Sequence, residues 1–115
     1  MFSLAVIAFV SCHEKSQICD HADAGSVNVR ISNEQGAPLT PDSVTWSVNG
    51  GSFQDAECVN RGCSEWVAGW EVSGAITVSA KLGNTITTSS ATVLQGQCHV
   101  IPQSIHFQLE DPTDT

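Results

Sequence analysis

Five cysteines are the residues of this chain best suited to covalent chemistry, and their spacing decides which kind. Cys12 stands at the end of an apolar run, while Cys19, Cys58, Cys63 and Cys98 are spread over the remainder. In a chain exported to an oxidising compartment those four form an even set, which favours two disulfides. Cys58 and Cys63 enclose only Val59, Asn60, Arg61 and Gly62, a loop short enough for one bridge. That pairing leaves Cys19, ahead of the first strand, to meet Cys98, ahead of the last. The rival pairing joins Cys63 to Cys98. Either bridge would stabilise a small core by about 2 to 4 kcal/mol. Zinc could in principle be held by Cys58, Cys63, Cys98 and His99, since thiolate and imidazole are its preferred ligands. The spacing is wider than in structural zinc sites and oxidation consumes thiols, so disulfides are expected and no metal or other cofactor is. A second set, His13, Asp20, His21 and Asp23, lies on a polar stretch that would have to be ordered at a large entropy cost.

The segment Met1 to Val10 is too short to span a bilayer, which takes about 20 apolar residues, and has the length of a signal-peptide core. Ala8-Phe9-Val10-Ser11-Cys12 resembles the bacterial lipobox, a pattern in which the cysteine receives the lipid. The resemblance implies loss of residues 1–11 and a protein held in the bacterial envelope by acyl chains on Cys12, palmitate among them. His13, where Asp would favour the inner membrane, implies the outer membrane, on its periplasmic or surface face. The competing reading is a buried N-terminal strand with Cys12 as a core thiol.

Four Lys and Arg stand against twelve Asp and Glu, a formal net charge of −8. Such a surface repels phosphate backbones and anionic headgroups, so nucleic acid is excluded as a partner and membrane attachment must come from the lipid alone. Catalytic sets fare no better. No serine sits in a strained nucleophile turn, and His99 and His106 are the only histidines in the predicted fold. Glu65 and Glu71 fall on one face of one predicted strand. They lack the opposed geometry of a glycosidase pair and are assigned to surface solvation. No enzyme is expected.

What positions these residues is a series of short strands. Residues 12–25 read as a flexible tether and residues 111–115 as a tail, leaving 26–110 as one domain. Val27, Val29 and Ile31 alternate with polar residues, as do Val44, Trp46 and Val48, then Ile76, Val78, Ala80 and Leu82, and finally Ile105, Phe107 and Leu109. Trp66, Ala68, Trp70 and Val72 form another inner face, which places all three tryptophans in the core. Residues 84–94 suit a strand by β-branching, but their apolar parity slips between Ile86 and Val93 and predicts a bulge. With Gly, Pro and Asn turns between them, these segments predict an all-β fold: a roughly seven-stranded antiparallel Greek-key sandwich, stapled by disulfides.

The order Thr45-Trp-Ser-Val-Asn-Gly-Gly51, a cysteine pair, Cys63-Ser-Glu-Trp66, Glu71-Val-Ser-Gly74, Ile76-Thr-Val-Ser-Ala80 and Cys98-His-Val100 resembles the bacterial carboxypeptidase regulatory-like domains. That resemblance implies a transthyretin-like sandwich over residues 26–110, with an immunoglobulin-like sandwich as the close alternative, and an accessory role. The expected function is thus a non-catalytic, lipid-anchored module that binds another envelope protein or surface assembly. Its loop tips, Asn49 and Gly50 and then Asn60 and Arg61, are the expected contact points, because sandwich function gathers at strand ends. The alternative is a carbohydrate-binding surface module that uses exposed tryptophan. Pro102 at a predicted edge and polar outer faces argue for a monomer.

Overall fold

Val27, Val29 and Ile31 do alternate inward, and their strand is the axis of one of two stacked sheets. The structure, a computed structural model, describes Cys19 and residues 22–110. Eight strands follow in order: β1 (Gly25–Ser32), β2 (Ser43–Val48), β3 (Gln54–Asp55), β4 (Glu57–Cys58), β5 (Glu65–Trp70), β6 (Gly74–Leu82), β7 (Thr85–Val93) and β8 (Gln103–Gln108). The first sheet runs β4-β5-β1-β8 and the second β3-β2-β6-β7. The segment read as a signal peptide, Cys12, His13, Asp20, His21 and residues 111–115 lie outside the described residues.

The all-β, disulfide-stapled sandwich is therefore present, with two departures from the expected pattern. The strands among the described residues number eight because the run from Gln54 to Cys58 divides between the sheets: β3 pairs with β2, and β4 with β5. Ala56 is the pivot between them, its N–H donating 2.9 Å to Val44 O. A two-residue strand on each side of a pivot has no room for a periodic pattern, which is why this stretch shows none. The second departure is β8, which pairs with β1 in parallel, from Val27 opposite Gln103 to Ser32 opposite Gln108.

The core gathers Val27, Val29, Ile31, Val44, Trp46, Ala68, Ile76, Val78, Ala80, Val93, Val100, Ile105, Phe107 and Leu109. Each fully buried Val or Ile contributes about 1.5–3 kcal/mol relative to exposure. Both cysteine pairs are bridged, Cys19 to Cys98 and Cys58 to Cys63, with Cα atoms 5.3 and 5.2 Å apart. The pairing of Cys63 with Cys98 is thereby excluded. The stretch read as a tether is fastened at two points, Cys19 and Ala24, just ahead of β1.

The predicted bulge in β7 is not there. Its register with β6 is unbroken from Gly74 opposite Val93 to Leu82 opposite Thr85. Gly83, at φ 63°, takes the first central position of the two-residue turn between them, where a left-handed backbone favours glycine. The apolar parity slips because β7 is an edge strand: Thr87, Ser89 and Ala91 occupy its half-buried inner positions, while Ile86 points out and is 63 % exposed.

Candidate functional site

β1 presents Asn28 and Arg30 outward, because the residues that alternate with them, Val27, Val29 and Ile31, are claimed by the core. Pairing on both sides then sets Arg30 opposite Glu65 of β5 and opposite His106 of β8. Glu65, Arg30 and His106 thus form one row across three strands. A parallel row holds Val67, Asn28 and Ser104. Together with Val59, which is 45 % exposed, Arg30, Asn28, Glu65, Ser104 and His106 border a shallow groove of about 360 Å³ on the outer face of the first sheet. That volume is at the small end of ligand sites.

The row is preorganised at His106. Ser32 is fully buried, and its hydroxyl donates 3.0 Å to Asn33 O. A hydroxyl has one proton, so the 2.7 Å contact between Ser32 Oγ and His106 Nε2 requires the imidazole to be the donor. In the neutral ring Nδ1 is then the acceptor. Arg30, on the middle strand, forms no ion pair among the described residues; the pair found there joins His99 to Glu71. The groove therefore offers a guanidinium, an amide, a hydroxyl, a carboxylate and an imidazole acceptor on rigid strands. That set can hold a carboxylate or a hydroxyl-rich ligand. Its two serines differ: Ser104 is exposed at the groove, whereas Ser32, which touches the histidine, is buried with its proton committed to Asn33 O.

Beyond this groove the same face carries Trp70. Sequence parity placed it in the core with Trp46 and Trp66, and here the structure corrects the expectation. Trp46 is buried and Trp66 half-buried against the core, but Trp70 is 41 % exposed. The reason is Gly69, whose φ of 83° reverses the alternation of β5. A side chain at residue 69 would come within 3.2 Å of the Trp46 ring, so the backbone of Gly69 fills the inner position and Trp70 turns outward. Its indole N–H donates 3.0 Å to Glu57 Oε1 of β4.

Glu71 is also not the solvated surface residue its parity suggested. It lies just past β5 at φ 57°, and its carboxylate turns back to the fold. Oε2 accepts from Ala24 N at 2.7 Å and from His99 Nδ1, and Oε1 accepts from Val100 N at 3.0 Å. Next to it, Val72 N donates 2.7 Å to Ser26 Oγ. The backbone bond from Ala24 is the largest cause holding this carboxyl below its ordinary pKa. The Val100 N–H and His99 act in the same sense and desolvation opposes them. Glu71 thus clamps the entry to β1 onto the loop before β8, beside the Cys19 to Cys98 bridge.

The loop tips have work inside the fold. Asn49 Oδ1 accepts from Ala75 N at 2.9 Å, and Asn60 Oδ1 accepts from Ser64 N and Glu65 N at 3.0 and 2.9 Å. Asn60 Nδ2 further donates 3.0 Å to Ser64 Oγ. Gly50 and Arg61 are exposed beside them. The thiols considered for zinc are engaged in the two disulfides, and the described residues hold no group of three or more His, Cys, Asp or Glu placed to share a metal.

Sequence reasoning missed the groove. Alternation alone turns Asn28, Arg30, Ser104 and His106 outward, but which strands are neighbours, and in which register, is not written in any one of them. No protein-family model, curated protein or solved structure matches the chain.

Proposed function

We propose that the chain is a non-catalytic accessory module of a bacterial cell envelope, lipid-anchored at Cys12. In this reading it binds another envelope protein through the outer face of the β4-β5-β1-β8 sheet. The observation that carries the binding role is the row of Glu65, Arg30 and His106 across three neighbouring strands, bordering an open groove and not a closed cleft. Flat, mixed-charge surfaces of this kind favour recognition of a partner's polar groups, whereas catalysis needs a pocket that excludes water. The anchor rests on the lipobox-like run to Cys12. Kinship with the carboxypeptidase regulatory-like domains belongs to the same proposal and stands on the order of sequence features together with the sandwich.

A photo-activatable residue at Ser104, tested in intact cells, measures this directly. One discrete crosslinked species is expected, lost when Arg30→Glu is added and absent when the same residue replaces Thr77 on the opposite sheet. Crosslinking that is indifferent to Arg30 would overturn the proposal. Intact mass of the membrane-extracted protein beside a Cys12→Ser variant tests the anchor separately.

A second reading, carbohydrate binding, has its own support in Trp70, an exposed indole oriented by Glu57 on the same face. Aromatic faces stack on apolar surfaces of a ligand while their polar edge stays bonded. Titration with cell-wall oligosaccharides should shift the tryptophan emission of the native chain and leave that of Trp70→Ala unchanged. No shift with either protein rejects this reading.

A further inference from the structure

We infer that β7 is a pairing edge, and that its partner is β7 of a second copy of this chain, joined antiparallel about a two-fold axis. The expectation of a monomer assumed guarded edges, and three of the four edges are guarded. β3 and β4 are two residues long, and β8 has six residues with Pro102 immediately before it. β7 is nine residues long, and no described strand forms a ladder with its outer side: β8 passes close to it in the other sheet without pairing, and the chain folds back only past its end, where Ile101 N donates 2.8 Å to Leu94 O. It holds no Pro, no Gly and no charged residue. Proteins that must stay single usually place lysine, proline, a bulge or a short strand at such an edge.

The occupant follows from charge and symmetry. A chain of net charge −8 resists meeting its own copy over most of its surface, but Thr85–Val93 contributes nothing to that repulsion. Lys81 stands one strand in, opposite Ile86. A two-fold axis perpendicular to the sheet keeps outer faces on one side only when it passes through a residue. The register that uses the whole strand centres on Ser89. Ile86 then meets Thr92 of the second copy, Thr87 meets Ala91 and Thr88 meets Ser90. β-branched and hydroxyl pairs of this kind stabilise neighbouring strands. The protein already makes one: Thr77 and Ser90 hydroxyls lie 3.0 Å apart across β6 and β7. Pairing would continue that hydroxyl face into an eight-stranded sheet. The edge is about 30 Å long, at roughly 3.3 Å per residue. An edge alone buries less than the roughly 1,200–2,000 Å² of a stable interface, so the dimer forms reversibly with concentration.

Sedimentation velocity of the full chain in mild detergent, over a dilution series, tests this. The apparent mass should be two chains at the concentrated end and one at the dilute end. The double variant T88K/S90K, which sets like charges across the axis, should remain at one chain throughout. Asp55→Lys at the far edge of the same sheet should behave as the native chain does. A native mass of one chain throughout, or an unaffected T88K/S90K, overturns the inference. Should T88K/S90K lose the near-ultraviolet dichroism of its folded tryptophans, a photocrosslinker at Ile86 replaces it. A crosslink mapped to Thr92 of a second copy supports the pairing, and none, or one mapped elsewhere, overturns it. This result is independent of the groove, which lies on the other sheet.

Discussion

The two sheets share one core yet are held and dressed differently. In the β4-β5-β1-β8 sheet every strand carries a titratable side chain: Glu57, Glu65, Arg30 and His106. Both disulfides fasten that sheet or its approaches, as does the Glu71 clamp. The β3-β2-β6-β7 sheet contains no cysteine and only Asp55 and Lys81 among charged residues. It is held by register, above all by the nine consecutive pairs of β6 with β7. A long hairpin forms from neighbouring sequence and needs no staple. A sheet that joins the two ends of the chain through a parallel β1 and β8 must close a long loop first, and covalent help is worth most there.

The largest effect should come from cutting the bridge that closes that loop. Cys19 and Cys98 are 79 residues apart, and by the chain-entropy relation their bond contributes about 4.5 kcal/mol. Cys19→Ser/Cys98→Ser should lower the unfolding free energy by that order in a urea titration. Amide exchange should then rise first in β1 and β8, with β6 and β7 still protected. Equal loss of protection in both sheets would erase the contrast. The bridge from Cys58 to Cys63 spans only 5 residues, and the same relation gives about 2 kcal/mol. Its removal should loosen β4 and the Val59 side of the groove, seen as weaker photocrosslinking from Ser104, while β7 pairing is unchanged.

How far this contrast could be read in advance depends on which interactions are local. Alternation in Val27 to Ile31, Val44 to Val48 and Ile76 to Leu82 gives the inner faces, because a half-buried strand has only one way to hide them. Spacing of the cysteines brings the two bridges within reach. Three features escape this kind of reading. Gly69 reverses the parity of β5 through its own backbone, so Trp70 carries an inward pattern and an outward side chain. Glu71 finds its partners at residues 24, 99 and 100, distant in sequence and unmarked by any motif. β7 tolerates Thr and Ser on its inner side because it lies at the rim, where burial is half complete. Local pattern describes strands; neighbours decide sites.

Acid should act on the stapled sheet and spare the hairpin, by a smaller amount than the loss of either bridge. Glu71 has a folded pKa below its unfolded value, chiefly because its carboxylate accepts the Ala24 N–H and then that of Val100. Such a group stabilises fully above the unfolded pKa, and the stabilisation is lost as pH falls through that value toward the folded one. Native and Glu71→Gln proteins should differ most in urea midpoint near neutrality and converge through the acidic range. Exchange at Ala24 and Val100 should accelerate before any change at Thr85 to Val93. A constant difference across that range would mean that packing, and not ionisation, holds the clamp.

The smallest stability effect should fall on the residue with the largest proposed role. Arg30 is exposed, has no ion-pair partner among the described residues, and lies in a strand whose packing comes from Val27, Val29 and Ile31. Arg30→Ala should therefore change unfolding free energy by less than about 0.5 kcal/mol, as surface substitutions do. Thr88→Ala on the other sheet should cost equally little. The two variants should part only in what they bind: Arg30→Ala loses the crosslink from Ser104 and keeps concentration-dependent mass, while Thr88→Ala retains the crosslink. A residue that anchored the fold would show the reverse, a large stability loss with binding reduced only as far as folding is. Parallel urea titrations and crosslinking yields for the two variants separate these outcomes, because a surface kept for recognition can be altered without the core registering it.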